Sequence, residues 1–231
     1  MPDGANGRVA AFLLAEIAPV CRLRSRFVPC AWRAGLTGGE AAAKAVCMTE
    51  PAIQPIPAET DDAAALVTTL AQAARAAQRQ LAALPSAARA AALHLAADAL
   101  RKAVPAVLAA NAKDLAAGAA SGLSKAMLDR LALDEARLAG IADAVAAVAD
   151  LPDPVGQVID SSAQPNGLDF TRIRVPIGTI GIIYESRPNV TADAAALCVR
   201  AGNAVILRGG SEAVRSNAAI HAAMVRGLES A

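Results

Sequence analysis

Aromatic side chains make up only 2% of this 231-residue chain, although 55% of it is hydrophobic. The apolar content is therefore chiefly alanine, leucine and valine, which favours helices with small, closely packed faces over a core of large rings. No sign of charge dominates either. The formal net charge is +1, and no basic patch is interleaved with aromatics, so the footprint of a DNA- or RNA-binding protein is missing. The four cysteines, Cys21, Cys30, Cys47 and Cys198, follow no zinc-site spacing, and only two histidines, His94 and His221, offer other soft ligands. A structural metal is not expected. No apolar run approaches the roughly 20 residues that a membrane-spanning helix needs, because Glu16, Asp62, Arg75 and similar residues interrupt each one. Residues 9–15 are too short an apolar stretch for a secretory signal, and a cytoplasmic location is expected. Neither GxGxxG nor GxxxxGK[ST] occurs, so no ordinary dinucleotide or P-loop fingerprint is present.

What is present divides the chain by composition. Residues 1–47 hold three of the four cysteines, the single Trp (Trp32), two of the three Phe and an arginine cluster. This segment is expected to be an unfolded upstream extension, with an organelle-targeting leader as the rival reading. Residues 48–60 form a Pro-rich leader that starts at Met48. Residues 61–154 are helical almost throughout, with Asp61 or Asp62, Ser86 and Asp134 as N-cap candidates, a capping turn at residues 122–124, and breaks at Pro85 and Pro105. Residues 155–231 change to an extended pattern. Residues 168–175 alternate as an edge or half-exposed strand would. Residues 177–184 are nearly all apolar, as in a strand covered on both faces by helices, and residues 204–207 read as a second such strand. A crossover helix over residues 189–201, left through Gly202-Asn203, completes a βαβ unit.

A parallel sheet exposes its ligand site beyond the carboxyl ends of its strands, so the polar turns at residues 184–189 and 208–212 should lie side by side. Asn189, at a helix start, can donate its amide to an oxyanion or serve only as the helix cap. Arg187 offers a fork for a carboxylate or phosphate. Arg208, Gly209, Gly210 and Ser211 form a short Gly-rich turn into a helix, suited to ribose or phosphate oxygens. A plain turn with positive φ at Gly209 and Gly210 accounts for the glycines nearly as well. Cys198 sits mid-helix without a neighbouring histidine and reads as a buried, inert thiol. His94 and His221 read as structural.

The words YESRPNV (residues 184–190) and AGNAVILRGG (residues 201–210) closely resemble the glutamate-5-semialdehyde dehydrogenases, or γ-glutamyl phosphate reductases, a branch of the aldehyde dehydrogenase superfamily. AANAKDLAAGAASGLSKAMLDRLAL, ARLAGIADAV and LPDPVGQVID resemble the same branch, so the likeness runs from about Ala65 to the end. It implies an aldehyde-dehydrogenase-like α/β fold, here an amino-terminal helical layer followed by the start of a parallel, Rossmann-like sheet, truncated relative to full-length members. It also implies NADPH-dependent reduction of L-glutamyl 5-phosphate to L-glutamate 5-semialdehyde and phosphate, in proline biosynthesis. By motif match Asn189 resembles the superfamily's oxyanion donor. Arg208 stands where relatives carry a Lys or Arg near the adenosine ribose, with Gly209, Gly210, Ser211 and Glu212 completing the cofactor turn, and Arg187 is a substrate-binding candidate. Members of the branch reduce a thioester formed on a cysteine of their later half. No residue here matches that cysteine, and the chain alone is expected not to turn over. The full-length enzyme is expected to be a homo-oligomer, with glutamate 5-kinase as a candidate partner. A βαβ unit that stops this early should leave sheet edges and an apolar face exposed. The alternatives are a non-catalytic cofactor-binding or interaction module, or another aldehyde dehydrogenase branch. YESRPNV counts against the latter, since the wider superfamily usually carries a Pro-Trp-Asn-type word there.

Overall fold

The computed structural model describes residues 14–16 and 61–231. A three-residue strand, β1 (Leu14–Glu16), is followed by the helices α1 (Asp61–Ala83), α2 (Ser86–Lys102), α3 (Val104–Ala120), α4 (Lys125–Leu131) and α5 (Glu135–Asp150). Then come β2 (Val158–Ala163), β3 (Asp169–Ile173), β4 (Thr179–Ile183), α6 (Asn189–Arg200), β5 (Ala204–Arg208), a 3₁₀ turn at Ser211–Ala213 and α7 (Val214–Glu229). The leader and most of the 1–47 segment lie outside the described residues.

The helix breaks follow from local chemistry. Pro85 separates α1 from α2, and Pro105 sits in the first turn of α3, where its missing N–H costs nothing. The Ser124 hydroxyl accepts from the Met127 N–H at 3.3 Å, and the Asp134 carboxylate accepts from the Arg137 N–H at 2.6 Å, so both cap their helices. Ser86 does not. Pro85 holds the N-cap position of α2, and the Ser86 hydroxyl accepts instead from Arg200 at 3.0 Å.

Alanine content decides the packing. α2 lies between α5 and α7, with Leu93, Ala96, Ala97, Val145, Ile220 and Met224 fully buried in the shared core. A Cβ on Gly227 would stand 2.6 Å from both the Ala96 nitrogen and the Leu95 carbonyl oxygen, so α2 and α7 meet backbone to backbone. Such proximity is open only to the smallest residues. α1 lies over the sheet, burying Ala74, Ala77 and Leu81.

The parallel pair β4 and β5 runs in register from Thr179 opposite Ala204 to Ile183 opposite Arg208, with α6 as crossover. Gly202, at φ +72°, provides the left-handed exit from α6. β5 is well covered, whereas β4 is an edge strand covered on one side only. Ile180 and Ile182 pack on the core, but Ile183 is exposed, which corrects the sequence reading of a strand enclosed on both faces. β1 lies parallel on the other edge of β5, Leu14 opposite Val205 and Glu16 opposite Leu207. β5 supplies the free backbone groups that these three residues bond.

β2 and β3 form a separate antiparallel ribbon, held by Arg172 on Asp160 and turned through Gly167 at φ +83°. The polar sequence of β2 hid it from the sequence reading. Val158, Ile159, Phe170 and Ile173 are all more than half exposed, so β3 is uncovered on both faces, not half-covered as its alternation suggests.

Asp153, just after α5, ties the layers together. It receives the guanidinium of the buried Arg89 from α2, while Arg200 from α6 donates to the Leu151 carbonyl at 2.6 Å and to Ser86. Burial pushes the Asp153 carboxyl up, but the Val155 N–H, the Ser86 hydroxyl and the charges of Arg89 and Arg200 outweigh it and hold it below its ordinary 3.8. A carboxyl depressed on folding adds stability above the unfolded value and loses it as pH falls through the folded one. Asp153→Asn should therefore be less stable than the parent chain at pH 7, with the gap closing as pH is lowered below 3.8, measured by urea unfolding across a pH series. Gly227→Ala should force α2 and α7 apart at a cost of about 1–3 kcal/mol, read as a lower denaturation midpoint.

Candidate functional site

The two polar turns lie together at the carboxyl ends of β4 and β5, as their sequence positions predict. The Tyr184 N–H donates to the Arg208 carbonyl at 3.0 Å, carrying the ladder one step past the strands. Beneath it the Tyr184 hydroxyl lies 2.7 Å from the Thr191 hydroxyl, which in turn donates to the Asn217 side-chain oxygen at 3.2 Å. Thr191 and Asn217 are fully buried, so the end of β4, the start of α6 and the start of α7 share one satisfied polar chain.

Gly209 and Gly210 are required by proximity, not by positive φ. Neither is among the glycines with positive φ, and Gly210 is extended at φ −61°, ψ 150°. A Cβ on Gly209 would meet the Asn217 amide and stand 3.0 Å from the Tyr184 hydroxyl; one on Gly210 would meet the Ser186 hydroxyl and stand 2.9 Å from Glu212. Glu212 accepts from the Ser186 hydroxyl and, at 3.0 Å, from the Ser211 hydroxyl. The Ser186 hydrogen bond chiefly, helped by Ser211 and the charge of Arg208, holds its carboxyl below the ordinary range against the opposing effect of burial. Arg208 is exposed, with its guanidinium resting 3.0 Å from the Gly209 carbonyl. The turn thus presents an accessible cation, a carboxylate that already accepts hydroxyls, and glycines that keep the backbone open. These groups fit a ribose and its phosphates.

Asn189 and Arg187 lie on another side of the turn, in the wall of a cavity of about 500 Å³ between α4, α5 and the start of α6. Asn189 is the first residue of α6; Pro188 holds the N-cap position, and the Asn189 side chain makes no capping bond. Its amide instead donates to Asp193 at 3.1 Å, one turn along. The capping explanation of Asn189 therefore fails. Burial raises the Asp193 carboxyl above its ordinary value, with the Asn189 amide partly offsetting the effect. Arg187 and Arg130 both reach the Glu185 carboxylate, at 3.7 and 3.9 Å.

Cys198 is 6% exposed, and burial pushes its thiol up to about 11, the state of an inert core cysteine. His94 pairs with Asp150 at 2.9 Å on the surface. Among the described residues no group of His, Cys, Asp and Glu could hold a metal ion.

Asp193 was legible in principle as the i+4 partner of Asn189. Ser186, Thr191 and Asn217 are ordinary polar residues whose role appears only when the turns are brought together, and Arg130 lies far from Arg187 in sequence, on a helix that was read from its cap without a part in the site.

The aldehyde dehydrogenase family profile matches residues 40–229. The chain is 68% identical over 168 residues to the γ-glutamyl phosphate reductase of Novosphingobium aromaticivorans and 63% identical over 171 residues to that of Sphingopyxis alaskensis. These alignments take in 73% and 74% of this chain but 40% of each relative, so the chain spans about two fifths of the length of the proteins it matches. The crystal structure of γ-glutamyl phosphate reductase from Thermotoga maritima superposes with a TM-score of 0.67 at 40% identity, over 69% of this chain and 39% of that one. The matched range takes in the helical layer and both turns, and with that extent of agreement this chain belongs to the aldehyde dehydrogenase family.

Proposed function

We propose that this chain forms the cofactor-turn and oxyanion part of a reductase that converts L-glutamyl 5-phosphate to L-glutamate 5-semialdehyde and phosphate with NADPH, in proline biosynthesis. The reading is carried by the identity to proteins named γ-glutamyl phosphate reductase, and the family profile's match over residues 40–229 takes in both turns. The family works with NAD(P); when bound, the nicotinamide supplies the hydride. In the net reaction the acyl carbon gains that hydride while its bond to the phosphate oxygen breaks. Asn189 donates its amide to the acyl oxygen as negative charge gathers there, and Arg187 faces the substrate's anionic groups. Glu212, ionised and already an acceptor of hydroxyls, suits the ribose, and Arg208 provides the cation that favours a 2′-phosphate.

Cys198 does not serve as nucleophile, since it is buried with a raised pKa. That observation favours a second reading for the chain taken alone, a module that binds cofactor without turnover. The exposed apolar residues of the β2–β3 ribbon favour a homo-oligomer in the complete protein, and glutamate 5-kinase, which would supply the acyl phosphate, is the proposed functional partner. No helix among the described residues is long and apolar enough to cross a membrane, in keeping with the proposed cytoplasmic location.

The 231-residue chain should bind NADPH in a fluorescence titration, and Arg208→Gln should weaken binding roughly tenfold, the worth of one charge-assisted hydrogen bond, with less effect on NADH. Equal NADPH affinity in parent and variant would remove Arg208 from the cofactor site. Cysteine-dependent NADPH oxidation with glutamyl phosphate by the chain alone would overturn the module reading.

A further inference from the structure

The cavity beside Asn189 carries a charge pattern that neither turn explains. Arg130, from α4, and Arg187, from the loop before α6, converge on one carboxylate, Glu185, at 3.9 and 3.7 Å. Both distances exceed those of a firm hydrogen bond, and Glu185 is 74% exposed, so it is a loosely held counter-ion for two cations. An incoming carboxylate can take its place and receive both guanidinium groups. Arg137 also lines the cavity, but it donates to the Asp129 and Ala132 carbonyls at 2.8 and 2.7 Å and is thereby committed to closing the end of α4. Another part of the wall holds Asp193, a half-buried carboxylate that has the Asn189 amide as its donor and, among the described residues, no cation paired with it.

A site with two cations at one place and an uncompensated carboxylate at another complements a zwitterion. We propose that this cavity grips the amino-acid end of the substrate, with Arg130 and Arg187 receiving the α-carboxylate and Asp193 the α-ammonium. The assignment rests on the reductase reading above and names the groups that would select an α-amino acid over a simple acyl phosphate. The cavity volume of about 500 Å³ falls within the roughly 300–1,000 Å³ of small-molecule sites. Burial makes the Asp193 carboxylate costly to ionise without a cationic partner, and an ammonium group is that partner. Since Asn189 touches Asp193, the residue that would recognise the ammonium sits beside the proposed oxyanion donor.

The test is calorimetric titration of the 231-residue chain with L-glutamate, glutarate, which lacks the ammonium, and 4-aminobutanoate, which lacks the α-carboxylate. L-Glutamate should bind saturably, and each analogue roughly tenfold or more weakly. Arg130→Gln should weaken L-glutamate by a similar factor while leaving NADPH affinity unchanged. Asp193→Asn should weaken L-glutamate but not glutarate, a pattern that misfolding would not produce. No binding of L-glutamate, or equal binding by the parent and both variants, overturns the proposal. NADPH binding without L-glutamate binding would sink this inference and leave the reductase reading standing. The predicted glutamate profile in a chain that does not bind NADPH would do the reverse.

Discussion

A buried carboxylate on α3 sets the position of nearly everything described around the site. Asp114, 1% exposed, accepts from the Ser216 N–H and hydroxyl, both at 2.7 Å, and from the Arg215 guanidinium at 3.1 Å. Ser216 and Arg215 lie in the first turn of α7, whose own N-cap residue, Ala213, has no side chain able to cap. Asp114 therefore supplies from another helix both the hydrogen-bond acceptor and the negative charge that a helix start calls for. The network continues through Asn111. Its amide donates to the Ser216 hydroxyl at 3.0 Å and to the Leu131 carbonyl at 2.8 Å, while its oxygen accepts from the Leu133 N–H at 2.9 Å. One buried polar cluster thus anchors α7, which follows the Gly-rich turn, and the end of the short helix that carries Arg130.

That arrangement explains how a core of small residues can hold a defined site. Alanine and glycine faces let helices approach closely, but they offer few interlocking shapes to fix a helix along its axis. Polar groups buried in such a core add what the apolar packing lacks, because each must find its partner or bear a desolvation cost. Asn111, Asp114, Thr191, Ser216 and Asn217 are all nearly inaccessible, and all lie between the helical layer and the two turns. Arg89, Asp153 and Arg200 do the same work at the far end of α2, joining it to α6 through the segment after α5.

Much of this was legible in the sequence, and the failures have physical causes. The helical layer, the proline breaks, the caps at Ser124 and Asp134 and the βαβ unit followed from periodicity and local hydrogen bonding, which act over a few residues. The adjacency of the two turns followed from the topology of parallel sheets. Ser86 was misjudged because a distant arginine claimed its hydroxyl, and local capping preference cannot anticipate a partner on α6. Gly209 and Gly210 were recognised as special, but the positive φ offered as one explanation is absent, and the close contacts come from Asn217, Tyr184 and Ser186, which only the folded chain brings against them. β3 was read from its alternation, but β2 and the pairing of the two escaped notice because strand signals rest on burial, and this ribbon buries neither face.

The same logic separates the two halves of the site. The proposed cofactor turn, residues 208–212, is built from residues close in sequence and announces itself as a motif, as phosphate and ribose recognition through local backbone would require. The cavity is assembled from α4, α5 and the start of α6, so its charges meet only through tertiary packing. Substrate selection is expected to reside in such long-range contacts. A shared reaction needs a common geometry at the oxyanion and cofactor, whereas the choice of acyl compound needs only a few side chains reaching in from a neighbouring layer. Asn189 stands at the junction, fixed by its place in the βαβ unit and bonded to a residue of the cavity. Its position is therefore set by the βαβ unit around it, while its hydrogen bonding is set by Asp193, a part of the wall that differs in kind from the turn proposed to meet phosphate.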